Sequence, residues 1–335
     1  MPELLGEQVD RLITIELKNR GMPHGFLRQL YEAAREADGG RPLTTRAAEG
    51  IHSRVKEGDR VFILTGAGYP PVMPKGESDG PPGAAILGRM LYWGYGAVPI
   101  YVCERKHVDP IAAASEAADV MINPPEHAID RRHGGALIAA PDDQGVIESW
   151  ANDLYDRFQP QVIIATEKLG PAADGIVYNA TGQPKGPESG IIDLAAVMTE
   201  AHRRGVFSIG IGDHGNEMGF GRLQEAVQRI MPHGKTNCTT VSTDVVLPCM
   251  MSNWGCSGIA AVCAFMLGRA DLMHTAEQEG SIIRACLQAG GLEAMMCTKR
   301  FIVDGADGES SMAIVQLLNN MVRLALGKPS RGVAH

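Results

Sequence analysis

Seven short runs rich in β-branched and aliphatic residues, most of them ending in glycine or a carboxylate, constrain the fold more than any other feature of this chain. They are VFILTG (61–66), AVPIYVC (97–103), ALIAA (136–140), QVIIATE (161–167), VFSIGIGD (206–213), TDVVLP (243–248) and RFIVDG (300–305). Runs this apolar, without a polar residue at every second position, fit strands covered on both faces. The stretches between them carry helical patterning at 82–94, 146–158, 189–204, 216–230, 257–268 and 273–288. Strands alternating with helices predict an α/β fold, a mostly parallel sheet with helices on both faces.

An N-terminal helical segment precedes this pattern. Val9, Leu12, Ile13, Ile15 and Leu17 form one apolar stripe, and Phe26, Leu27, Leu30 and Tyr31 form another. Thr44 or Thr45 offers a cap for a third helix ending near Lys56. The expected organisation is a helical segment over 1–57, an α/β domain over 58–326 and a polar, frayed tail over 327–335.

Composition narrows the partners. Thirty-one basic against thirty-nine acidic residues give a net charge of −8, with 44% of the 335 positions apolar. An acidic chain without a long Lys/Arg tract lacks the footprint of a phosphate-backbone binder, so nucleic acid is not an expected partner. No window approaches the roughly 18 apolar residues of a membrane span, and the first twenty residues are amphipathic and acidic, unlike a secretory signal. The expected location is the cytoplasm. Seven cysteines with no CxxC spacing read as buried hydrophobes in a reducing compartment. Cys249, Met250, Met251 and the helix from Ile259 to Leu267 read as core, although a homo-oligomer interface would use the same residue types.

The strand ends are where the chemistry gathers, because in parallel sheets loops and helix N-termini converge outside the carboxyl edge. Glu77 and Asp79 follow the first run. Glu167 ends the fourth, with Lys168 and Asp174 after it. Asp213 ends the fifth and leads into His214, Asn216 and Glu217, while Asp304 ends the last, with Asp307 and Glu309 beyond it as loop acids. Like charges delivered to one place repel by about 4 kcal/mol at 4 Å and intermediate dielectric, which a divalent cation relieves. Oxygen-only donors favour Mg²⁺ or Mn²⁺, with Ca²⁺ also compatible, over zinc. The glycine loop Thr65-Gly66-Ala67-Gly68 is not followed by the pattern of a nucleotide site. His214, between Asp213 and Asn216, is the candidate proton-transfer group, whereas His202, His233 and His335 read as surface residues. Ser252 and Asn253, at the start of an apolar helix, offer donors to an anionic ligand.

Read together and in order, ESDGPPGA (77–84), GPAADGIVYN (170–179), IGIGDHGNEMGFG (209–221) and SNWG (252–255) resemble the D-glutamate cyclase family, over roughly residues 50–305. The resemblance implies a lyase that interconverts D-glutamate, or a related acidic amino acid, with 5-oxo-D-proline and water at a divalent metal. It points to Glu77, Asp79, Glu167, Asp174, Asp213, Asn216, Glu217, Ser252 and Asn253 as site residues. A mechanism built on them puts Glu77, Asp79, Asp213 and Glu217 on the metal, Asn216, Ser252, Asn253 and Lys168 on substrate, and Glu167, Asp174 and His214 in the catalytic steps, with Lys75 a further candidate anchor for a substrate carboxylate. Two positions depart from the family pattern. His214 stands where glycine is usual, and Tyr178-Asn179-Ala180-Thr181-Gly182 replaces YNMRG, removing an arginine that would clamp a carboxylate with two parallel bonds. The same residues would also suit a metal-dependent hydrolase of a cyclic amide or phosphoester, or a non-catalytic protein that binds a metal or metabolite.

Overall fold

The computed structural model describes residues 1–17, 23–186 and 189–327. Helices α1 (Pro2–Ile13), α2 (Phe26–Ala37) and α3 (Leu43–Arg54) lead into the sheet strands β1 (Arg60–Thr65), β2 (Val98–Glu104), β3 (Ile122–Asn123), β4 (Gly135–Ala140), β5 (Val162–Thr166), β6 (Phe207–Gly212) and β7 (Val245–Pro248). Between the strands run α4 (Pro81–Arg89), α5 (Val108–Ala117), α6 (Pro125–Arg131), α7 (Ile147–Phe158), α8 (Ala195–Arg204), α9 (Gln224–Ile230) and α10 (Gly234–Asn237). After β7 come α11 (Ser252–Met266), α12 (Ala276–Ala289), a hairpin of β8 (Ile302–Val303) and β9 (Ala306–Asp307), and α13 (Gly308–Leu326).

All seven sheet strands are parallel, in the order β3-β4-β2-β1-β5-β6-β7. Alternate residues of each strand enter different cores. Val61, Ile63, Tyr101, Ile164 and Ile209 pack under α1, α3, α4 and α11, while Phe62, Leu64, Ile100 and Ile163 pack under α7 and α8. Two buried faces are what the unbroken apolar runs require, so the expected α/β architecture is present. The chain leaves β1 toward β2 on one side and returns to β5 on the other. That reversal opens a crevice at the carboxyl edge between β1 and β5.

Several expectations are corrected. RFIVDG does not enter the sheet; Asp304-Gly305 form the two-residue turn of the separate β8–β9 hairpin, both with positive φ, as an Asp-Gly turn favours. The seventh sheet strand is the two-residue β3, too short to leave a pattern. The stripe through Leu17 outruns its helix, which ends at Ile13 and leaves Ile15 and Leu17 exposed. The helix expected from 216 starts at Gln224, because 213–220 is spent on a loop. The tail lies outside the described residues beyond Gly327. Cys249, Met250 and Met251 are fully buried, and the other cysteines are buried except the half-buried Cys297. Among the described residues no helix is long and apolar enough to cross a membrane.

Two buried side chains fix the frame around the crevice. Neither Thr44 nor Thr45 caps α3. Instead the buried Asp10 carboxylate, from α1, accepts from the backbone of Leu43 (2.6 Å) and Thr44 (3.2 Å), the Thr44 hydroxyl and the Tyr31 hydroxyl (2.6 Å). It thereby ties the three N-terminal helices together. His107, at the end of β2, does the same for the loop after β1, where Nδ1 donates to the Lys75 carbonyl (3.0 Å). Its ring lies so close to Gly66 and Gly76 that a Cβ on either would fall 2.7 or 2.5 Å from it, and both have positive φ, +101° and +98°. Glycine is required there twice over.

Removing the Asp10 carboxylate strands donors on two helices, α2 and α3. Asp10→Ala is therefore expected to lower the unfolding free energy by about 2–4 kcal/mol, read from urea melts. Burial pushes His107 down from 6.5 to about 4, so between those values the unfolded chain holds a proton that the folded one does not. Stability is lost as pH falls through that window, by on the order of 3 kcal/mol from this residue. Thermal melts from pH 7 to pH 4 should show a shallower acid dependence in His107→Gln than in wild type.

Candidate active site

Asp79 stands in the loop after β1, and its carboxylate serves as the N-terminal cap of a distant helix. Its oxygens accept from the backbone N–H groups of Ser252 and Asn253, both at 2.9 Å, at the start of α11. A negative charge there is favoured by the helix dipole and satisfies two amides that lack an intrahelical partner. Asn253 returns the interaction: Oδ1 accepts from Gly80 (3.0 Å) and Gly83 (2.8 Å) at the start of α4, and Nδ2 donates to the Ser78 carbonyl (3.0 Å). The two helix N-termini are thus clamped through each other's loops. Asn253 is committed to this clamp and does not line the cavity described below. Ser252 is likewise turned inward, its hydroxyl donating to Glu167 Oε2 at 2.6 Å.

Glu167 follows β5 with φ +47°, an unfavourable backbone for a residue with a side chain. The turn sends consecutive side chains to different places. Glu167 enters the crevice and Lys168 goes behind it, where its ammonium meets the Glu104 carboxylate and the Gly66 carbonyl. Lys168, expected to anchor substrate, is buried in an ion pair and absent from the cavity wall. Asp174 is not brought to the cavity either. It lies at an exposed turn, accepting from the Tyr178 hydroxyl (2.6 Å) and the Ile176 amide (3.0 Å), away from the crevice. Lys75 pairs with Asp109 at the surface.

The loop after β6 coils tightly enough for Glu217 to fold back onto it. Gly215, with φ +94°, aims successive N–H groups at one carboxylate, which accepts from His214 (3.0 Å) and Gly215 (2.8 Å). Such a nest stabilises negative charge. Burial and the adjacent Asp213 nevertheless outweigh it and raise Glu217 to about 7. His214 Nδ1 contacts Asp213 Oδ1, and its imidazole stacks on Phe26 of α2 with centroids 6.5 Å apart. Asn216 donates from Nδ2 to the Tyr178 carbonyl (2.9 Å), while its buried Oδ1 has no hydrogen-bond partner among the described residues.

These loops enclose a cavity of about 260 Å³ at the carboxyl edge. Glu77, Glu167, Asp213, Glu217 and Asp304 face it, with His214 and Asn216, and no Lys or Arg is among the described residues that line it. One oxygen each from Asp79, Glu167 and Asp213, all buried, lie within 4.8 Å of one another; ligand atoms of Asp213, His214 and Glu217 form a second such group. Burial and then the charges of Asp213, Glu217, Asp79 and Glu77 push Glu167 well above the usual carboxylate range. Buried oxygen donors at this spacing fit a hard divalent ion. The sequence-predicted acids Glu77, Asp79, Glu167, Asp213 and Glu217 are thus brought together, with Asp79 behind the wall. Asp304 was readable as a strand-end acid, but only the hairpin carries it over the cavity, beside Ala294 and Met295. Asn179 and Thr181, from the segment that departs from YNMRG, complete the far wall with Tyr69, which left no signal of its own.

The D-glutamate cyclase-like, C-terminal family model matches residues 9–319. Human mitochondrial D-glutamate cyclase is 30% identical over 218 residues, a match covering 64% of this chain and 34% of that protein. The chain thus spans about a third of the length of this relative. With the family match running from within α1 into α13, this chain belongs to the D-glutamate cyclase-like, C-terminal family.

Proposed function

We propose that this chain is a metal-dependent lyase that interconverts an acidic amino acid, D-glutamate or a close relative, with its lactam, 5-oxo-D-proline, and water. The observation that carries the reading is the gathering of the buried Asp79, Glu167 and Asp213 carboxylates from three loops, with Glu167 and Asp213 facing a small cavity and Asp79 behind its wall. Family membership and the human relative's name support the same reaction class.

Asp79, Glu167 and Asp213 would hold a Mg²⁺ or Mn²⁺ ion, with Glu77 and Glu217 at its edge. When bound, that ion supplies a Lewis acid for a substrate carboxylate, a poor electrophile while it keeps its charge. The remaining steps fall to the chain's own groups. The Asp213 carboxylate can only accept, so His214 Nδ1 carries the hydrogen between them, leaving Nε2 to take a proton from the substrate ammonium. The freed amine attacks the side-chain carboxyl carbon, the C–N bond forms and the C–O bond breaks. Two protons leave the nitrogen through His214, one before attack and one from the tetrahedral adduct, and both pass to the same carboxyl oxygen, which departs as water. Asn216 Oδ1 supplies an acceptor for the reacting nitrogen, which keeps an N–H in both the amino acid and the lactam.

Incubation with D-glutamate or 5-oxo-D-proline and Mn²⁺ or Mg²⁺ should give interconversion, followed by chromatography; no turnover in either direction with either metal would refute the proposal. Asp213→Ala and Glu77→Ala should each lower the amount of Mn²⁺ retained after dialysis, and wild-type metal content in both would remove the metal centre from the reading. Loss of the proton carrier in His214→Ala is expected to reduce kcat by roughly 10²- to 10⁴-fold, with a smaller change in KM.

A further inference from the structure

Behind the cavity lies a charged cluster that the proposed reaction does not use. The Lys168 and Glu104 side chains are only 3% and 5% exposed and pair directly, with Lys168 Nζ also donating to the Gly66 carbonyl at 3.1 Å. His107 Nε2 stands 3.8 Å from the same carboxylate. The cluster joins the ends of three adjacent strands: Gly66 follows β1, Glu104 closes β2, and Lys168 comes two residues after β5.

Its position next to Glu167 gives it a task. Glu167 is held in a left-handed backbone conformation, and its side chain is surrounded by Asp79, Asp213, Glu77 and Glu217. Sterics and like-charge repulsion both favour its departure from the cluster. The Ser252 hydroxyl holds the carboxylate itself, and two backbone bonds flank it, from Glu167 N to Ile211 O (3.1 Å) and from Met218 N to Lys168 O (2.7 Å). Both backbone bonds tie the turn toward β6 and its following loop. Among the side-chain contacts of the described residues in this turn, the Lys168 ammonium pulls in the opposite direction, toward β1 and β2, and so fixes how the turn is rotated.

We propose that the Lys168–Glu104 ion pair is a positioning device that holds the Glu167 carboxylate in the metal-binding cluster. The inference rests on the metal reading given above. Breaking a buried pair on one side leaves an uncompensated charge, whereas replacing both members with apolar residues of similar size is often neutral. The test therefore compares Lys168→Met, Glu104→Leu and the double variant by thermal melting and by Mn²⁺ affinity from electron paramagnetic resonance of the free ion. Each single variant should melt lower than wild type. The double variant should recover most of that stability yet bind Mn²⁺ at least ten-fold more weakly, a separation that a purely structural pair would not produce. Wild-type Mn²⁺ affinity in the double variant would overturn the positioning role alone. A wild-type protein that binds neither Mn²⁺ nor Mg²⁺ would overturn the metal reading, and this inference with it. Should the double variant fail to fold, Glu104→Gln, which keeps an acceptor but weakens the pull, serves instead: weakened Mn²⁺ binding supports the device and unchanged binding overturns it.

Discussion

Keeping several carboxylates together in a dry place is the constraint around which this molecule is organised. Each unit charge taken from water is costly, and each like neighbour adds to the cost. The chain meets this by giving each acid a different form of support. Asp79 rests on the N-terminus of α11, Glu217 on a ring of backbone amides, and Glu167 on one hydroxyl and a constrained turn. Support of this kind is built into the backbone and its immediate neighbours.

The supports reach across the sequence. Asp10 caps α3 from α1, and Asp79 caps α11 from the loop after β1, so in both cases a carboxylate far along the chain replaces the local Ser or Thr that usually serves. Such a cap couples helix formation to tertiary docking, because neither helix end is satisfied until its partner arrives. The clamp between Asp79 and Asn253 is reciprocal, and the loop that bears the acids is fixed by the same contacts that begin two helices.

Much of this was legible in the amino-acid order. Apolar runs without alternation pointed to a sheet covered on both faces, and six of the seven runs became sheet strands, because burial on two faces leaves so strong a pattern. The acids Glu77, Glu167, Asp213 and Glu217 were legible because a strand end is a place as well as a position in the sequence. What was not legible was direction. Lys168 and Glu167 are neighbours, yet one left-handed turn sends them to opposite sides; Asp174 stays near the surface; Ser252 and Asn253 spend their polar atoms on scaffold. A run of two residues such as β3, or a wall made of Tyr69 and Thr181, has no periodicity to read.

The contact between Phe26 and His214 changes what the helical lead-in is for. Those helices share the hydrophobic core that lies beneath α11, and through one aromatic ring they also form the platform under the imidazole. An α/β core transplanted without them would carry every acid in its place and still present that imidazole with nothing to lie against. In designing a minimal version of this protein, the lead-in therefore belongs with the residues that form the cavity and not with the removable parts.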